Sequence, residues 1–226
     1  MNALLEQFFD FGIMAQAAPL VLRGFGTTLL LSAIVIPLGL AGGLGAALLT
    51  RARSRWLRWP TVALVDFFRA VPPLVLLIFV YAGLPFAGLR LAPIEAVALA
   101  FFLNTSSYFG EIFRAGLESV GRGQSDAARS TGLDGAQALV HVVLPQAVRN
   151  VLPDLLSNCV EAVKLTSIAS VVALPEVLYS ADMARSLTYN ASPLVLAGAL
   201  YLVLLWPLVR LVSSFGSRSM DRVAVR

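Results

Sequence analysis

An all-α polytopic membrane protein with five spans is the fold class this sequence predicts, and three observations predict it. Apolar residues make up 58% of the chain and charged residues only 13%, with a mean hydropathy of +0.81. A soluble domain is about a quarter charged, so a water-soluble globule of 226 residues has no interior large enough for this much apolar surface. Second, the apolar residues fall into five runs near the roughly 20 residues a bilayer requires. Third, the arginines collect in alternate connections. Stretch 51–59, segment 111–149 and the C-terminal tail hold four each, whereas loops 85–91 and 173–193 hold one each, Arg90 and Arg185. Cytoplasmic loops carry the excess of positive charge, which predicts an outer N-terminus and a cytoplasmic C-terminus.

Residues 1–19 carry Leu4, Leu5, Phe8, Phe9 and Ile13 at roughly helical spacing, with Glu6 and Asp10 between them. That pattern predicts an interfacial helix on the membrane surface; the alternative is a frayed terminus. The first twenty residues hold no lysine or arginine, so a cleavable signal is not expected. The first span is 20–50. In it Gly39, Gly43 and Ala47 recur every fourth residue, a spacing that lets helices approach closely. Either this is a dedicated dimer face or it reflects composition alone. Arg51-Ala52-Arg53-Ser54-Arg55-Trp56-Leu57-Arg58-Trp59 is then a short basic and aromatic loop with tryptophans at headgroup level.

The second span is 61–84. Asp66 and Arg69 lie one turn apart and are placed to pair; the other reading sets Arg69 on the substrate path or the gate. The third span, 92–110, ends in a hydroxyl-rich turn, Asn104-Thr105-Ser106-Ser107-Tyr108. Such groups need partners within the bundle, on neighbouring helices or along a polar path. The fourth span is 150–174, the fifth 194–215, with a loop at 173–193 between them.

The fourth span holds Glu161 and Lys164, the only lysine in the chain. Three apart, they share a helix face, and a membrane charge is paired or faces a polar cavity. Two readings stand: mutual neutralisation, or a cavity in which Glu161 receives a substrate's ammonium. Asn158, Thr166 and Ser167 add polar groups to the region, and with Arg69 these form the candidate substrate pathway. The lone histidine, His141, and lone cysteine, Cys159, exclude an internal disulfide or a cysteine metal site and leave little for histidine catalysis. Net charge is +4, but the arginines are clustered, and no nucleic-acid partner is implied.

The long polar segment 111–149 interrupts these apolar runs. Ser125 is placed to cap a first short helix. Gly132 is its natural stop, because glycine alone turns left-handed without cost. Asp134 then caps a second helix, with Gln137 three residues on completing a capping box. That second helix is expected to close at Pro145. Ala127 and Ala128 have almost no side chain, so a partner surface could approach the backbone there.

The ordered set Asp126-Ala127-Ala128, three residues, Gly132, nine residues, Val142, one residue, Leu144-Pro145 resembles the EAA loop of permease subunits of ATP-binding-cassette importers. That loop reads Glu-Ala-Ala, three residues, Gly, nine residues, Ile, one residue, Leu-Pro. Asp126 and Val142 are the two departures, and each keeps charge or shape. The neighbours resemble the polar amino acid subfamily: Glu111 to Leu117, Gly123-Gln124, Leu144 to Ala147, Asn158 and Lys164 to Ser167. Phe68-Arg69-Ala70-Val71-Pro72 resembles its Arg-Gly-Thr-Pro and departs at Ala70 and Val71.

The resemblance implies a type I importer transmembrane fold in a bacterial inner membrane, with 111–149 as a coupling segment. It further implies a separate ATPase carrying the ATP and magnesium, a second permease copy or relative, and an external amino acid-binding protein. The residues expected to couple to the ATPase are Ser125, Asp126, Ala127, Ala128, Gly132, Val142, Leu144 and Pro145. The chain itself lacks a phosphate loop, since Lys164 follows Val163 and not a glycine. No cofactor is therefore expected on it. A secondary transporter or channel is the competing class. Those folds show internal repeats, and none is visible here. A membrane enzyme is disfavoured by the single histidine, the single cysteine and the lack of a clustered acidic motif.

Overall fold

The computed structural model describes the backbone of residues 2–223 and the side chains of residues 5–214, and no strand occurs among the described residues. The helices are α1 (Asn2–Phe8), α2 (Phe11–Thr50), α3 (Arg55–Ala70), α4 (Pro73–Ile78), α5 (Pro93–Ser119), α6 (Arg122–Ser130), α7 (Gly135–Ala138), α8 (Leu144–Asn150), α9 (Leu152–Leu165), α10 (Val177–Thr188) and α11 (Ser192–Val223). Four described stretches are long and apolar enough to cross a membrane: Leu5–Thr50, Pro93–Ser119, Leu152–Val172 and Ser192–Ser214. The pair Arg55–Ala70 and Pro73–Ala87 makes the fifth when taken as one broken span.

The chain divides into two compact units. The first comprises Met1–Pro37, Val71–Phe102 and Val160–Val209. Part of its core is Ala17 and Val21 from α2 against Val177, Ala181 and Ala184 from α10 and Ala197 from α11. The region 173–193, expected as a loop, is therefore largely helical. Val177, Ala181 and Ala184 repeat at four and three residues, one stripe of a helix, and Glu176 caps its start. The expected interfacial segment 1–19 is also divided. Its second half belongs to α2, because Ala17 and Val21 pack inward. Its first half is clasped to the start of α11. Asn190 Nδ2 donates to the Glu6 carbonyl at 2.9 Å, Ala191 N to the Gln7 carbonyl at 2.9 Å, and Asp10 N to Ser192 Oγ at 2.9 Å. At 40 residues α2 is about 60 Å long, far more than a bilayer core demands.

The second unit comprises Leu38–Ala70, Leu103–Cys159 and Arg210–Arg226. Ala47, Phe109, Phe113, Leu117, Val143, Ala147, Val151 and Leu155 form a core of it. The small-residue stripe lies here, against the same chain: a side chain at Gly43 would meet Phe109 Cβ at 2.5 Å and Gly110 N at 2.8 Å. Gly39 faces Thr105 in the same way. The stripe is a seat for α5, not a dimer face. The hydroxyl-rich 104–108 is no turn either but the middle of α5, which continues to Ser119. Three of the four tail arginines, Arg218, Arg222 and Arg226, have side chains outside the described residues, as does Leu4.

Candidate functional site

The segment 122–150 is an elbow whose corner is built almost entirely from its own residues. Helix α6 ends in a left-handed glycine, Gly132 at φ 97°. Leu133 N donates to the Ala128 carbonyl at 3.4 Å and Gly132 N to the Arg129 carbonyl at 3.1 Å. This is the paired closure of a Schellman motif. Two residues on, Asp134 Oδ1 accepts from Ala136 N and Gln137 N at 2.8 Å each, while Gln137 Oε1 accepts from Asp134 N at 3.0 Å. The expected capping box is present. Backbone groups at the corner are thus satisfied without help from another region, which keeps the shape fixed although the surface is polar.

Three details differ from expectation. Ser125 does not cap α6; Gly121 stands at that position and Ser125 lies within the helix. Ala127 is exposed, but Ala128 is buried, and α6 packs on segment 139–143. Only one of the two alanines is therefore open to a partner. The second helix also does not end at Pro145. A π-turn at Leu139–Val143 leads directly into α8. Proline lacks an N–H and its ring crowds the carbonyl four residues back; a widened turn relieves both, and Gln146 Nε2 donates to the Val142 carbonyl at 2.8 Å. Leu144 packs on the core beside Val143 and Ala147, while Val142 is half-buried, so these residues anchor the elbow. Asp126, Arg129, Ser130, Gly132, Leu133, Asp134 and Gly135 line an open hollow of 560 Å³ on it.

A second constellation surrounds Arg69. Pro72 and Pro73 follow α3 without N–H groups, so the carbonyls of Phe68 and Arg69 have no donor four residues on. Asn104 Nδ2 donates to the Phe68 carbonyl and Tyr108 Oη to the Arg69 carbonyl, each at 3.3 Å. Two of the α5 polar groups, the Asn104 amide and the Tyr108 hydroxyl, thus find partners on a neighbouring helix, whereas the Ser107 hydroxyl donates to the Leu103 carbonyl of α5 itself. The Arg69 guanidinium lies 5.8 Å from the Tyr108 ring centre and 3.7 Å from Glu111. Its carboxylate partner is therefore Glu111, where the sequence suggested Asp66. Glu111 also pairs with Arg114, which reaches Glu118 at 2.7 Å.

In the first unit, Lys164 Nζ lies 2.6 Å from Glu161 Oε1, with both side chains half-exposed or more. The pair is formed and still accessible. Thr166 and Ser167 part company here. Thr166 is fully buried, its hydroxyl donating to the Val163 carbonyl, whereas half-buried Ser167 donates to the Lys164 carbonyl. Asn158 is half-buried on α9. Glu176, which no motif in the sequence marks, is a carboxylate with no solvent exposure. It accepts from Leu178 N at 2.8 Å and Tyr179 N at 2.7 Å, and Tyr201 Oη donates to it at 3.4 Å. Burial pushes its carboxyl above the ordinary range, against the opposing pull of those backbone donors. Only the position of Glu176 just before an apolar helical stripe could have signalled this.

No cluster of ligating side chains suited to a metal occurs among the described residues. Residues 36–220 match the family described as binding-protein-dependent transport system inner membrane component. The chain is 39% identical over 186 residues to GlnM of Bacillus subtilis, a probable glutamine ABC transporter permease protein, covering 82% of this chain and 86% of that one. It is 30% identical over 215 residues to ArtQ of the same organism, an arginine transport system permease protein, covering 94% and 96%. Among solved structures, an amino acid ABC transporter crystallised with histidines is similar at a TM-score of 0.84 and 32% identity, over 92% of this chain and 98% of that chain.

Proposed function

This chain belongs to the family of binding-protein-dependent transport system inner membrane components, and from that premise we infer how it carries an amino acid across the membrane. It is the permease subunit of an ATP-driven amino acid importer, a multi-pass component of the inner membrane. The family implies an ATPase and a substrate-binding protein as partners; hydrolysis belongs to the former. A second permease copy or a relative completes the path.

The observation that carries the coupling mechanism is the self-capped corner at Gly132 with Ala127 exposed beside it. A docking element transmits force only if it is stiffer than its attachment. The Schellman closure and the capping box supply that stiffness, and Ala127 allows a partner to approach the backbone. When the ATPase pair closes on nucleotide, the elbow moves, and α5 and α8 move with it through the shared core of Phe113, Leu117, Val143 and Ala147. The elbow then faces the cytoplasm and the N-terminus lies outside. In support, the clasp between residues 6–10 and 190–192 holds the N-terminus beside the connection between the last two spans. An odd number of spans also separates that connection from the elbow's membrane side.

The accessible Glu161–Lys164 pair is the point where a substrate's charged groups exchange partners. An ammonium competes with Lys164 for Glu161, and a carboxylate competes with Glu161 for Lys164. The glutamine and arginine names of the relatives agree with a polar amino acid as cargo.

Uptake in vesicles that hold the ATPase and the binding protein tests both halves. Ala127→Glu should abolish ATP-coupled uptake, a loss of tenfold or more on the order of 1.4 kcal/mol per decade, with the spans still folded. Unchanged uptake would refute the docking role. Glu161→Gln should lower uptake while the complex still assembles, and normal transport by that variant would remove Glu161 from the path.

A further inference from the structure

The start of α3 carries an unusual combination of exposed groups. Trp56 is 91% exposed and Trp59 65%. Trp56, then Trp59 and Pro60, then Ala63, then Phe67 recur at three or four residues along the helix, a single stripe. Leu57 and Leu64 border it and are also exposed. Arg53, Arg55 and Arg58 surround its first turn; all three are exposed, and none has a carboxylate partner among the described residues. No acidic residue lies between Asp10 and Asp66. The charge of these three arginines is therefore not balanced by any carboxylate of their own stretch.

We propose that Arg53, Arg55 and Arg58, with Trp56 and Trp59, form a binding surface for anionic phospholipid headgroups. Indole rings settle at the headgroup level, where one edge is apolar and the other wet. Guanidinium forks match phosphate oxygens. Basic clusters beside a span gather anionic lipid. Neither element alone selects a lipid: the tryptophans anchor in any bilayer, and the arginines supply the preference for negative charge. A second protein copy is a poorer occupant, because its own positive stretch would bring like charges together. The inference rests on membrane insertion and is independent of the cargo.

The chain has three tryptophans, so Trp206→Phe leaves Trp56 and Trp59 as the only reporters. That full-length variant is reconstituted in vesicles holding a small, equal fraction of brominated phosphatidylglycerol or brominated phosphatidylcholine in a phosphatidylcholine host. Bromine quenches indole emission on contact. The expected result is quenching about threefold stronger by the anionic lipid, reduced to parity by the combined R53Q, R55Q and R58Q changes. Equal quenching by both lipids with the arginines in place would overturn the proposal, leaving a merely lipid-facing surface. Quenching by neither would also overturn it, showing the face covered by protein. The comparison of the two lipids on the Trp206→Phe chain decides the question even if the arginine variant fails to insert.

Discussion

Two helix ends in the second unit face the same difficulty and answer it differently. At Gly132 the carbonyls closing α6 are met by N–H groups within five residues, and the next helix is capped by Asp134 and Gln137. At Pro72 and Pro73 the carbonyls closing α3 lose their natural donors, and the replacements come from Asn104 and Tyr108, 36 and 39 residues further along. One corner keeps its shape as an autonomous piece. The other keeps its shape only while α3 and α5 are docked. For a machine that transmits force, the distinction is useful: the first suits a rigid handle, the second a break whose geometry depends on neighbouring packing.

The comparison is sharpened by substitutions that remove one repair at a time. Asn104→Leu should have the largest effect. It leaves the part-buried Phe68 carbonyl unpaired, at about 2 kcal/mol, and should lower the melting temperature in detergent while hydrogen exchange at 122–138 stays unchanged. Spread of the exchange into the elbow would break the claim that the two ends are independent. Gly132→Val comes next. A β-branched residue at φ 97° is strained by about 1–2 kcal/mol, so exchange should rise at 128–136 and ATPase binding weaken, with the protection of α3 and α5 retained. Asp134→Ala removes one cap and should cost about 1 kcal/mol, confined to α7. If it melted the spans, the elbow would not be autonomous.

The same contrast explains which features the sequence discloses. Gly132 as a stop and Asp134 with Gln137 as a box are read correctly because every atom involved lies within a few residues. The amphipathic stripe of α10 was equally present in Val177, Ala181 and Ala184, yet the segment reads as a loop when judged by hydropathy, since three small or branched residues make no long apolar run. Arg69 shows the other limit. Asp66 is its sequence neighbour, and helical spacing offers the pair; but Glu111 and Tyr108 reach it from another helix. Spacing lists the partners on one's own helix and is silent about the next one. Pro145 failed as a stop for a related reason. A π-turn absorbs it, and the surrounding core of Val143, Leu144 and Ala147 favours continuing the helix over ending it.

By itself the sequence determined the membrane class, the five apolar runs, the stop at Gly132 and the Asp134–Gln137 box, together with the family resemblance carried by 126–145. These depend on composition, on the length of a bilayer, and on backbone chemistry between near neighbours. Only the tertiary structure decided that Ala127 is open while Ala128 is covered, and that the glycine stripe seats α5 instead of a second copy. It alone disclosed that Glu176 is sealed from solvent against Tyr201 and that two side chains of α5 replace the donors lost at Pro72 and Pro73. Burial and hydrogen-bond rescue are properties of surfaces that meet across long stretches of chain. Which surfaces meet is set by packing, and no local pattern of residues encodes it.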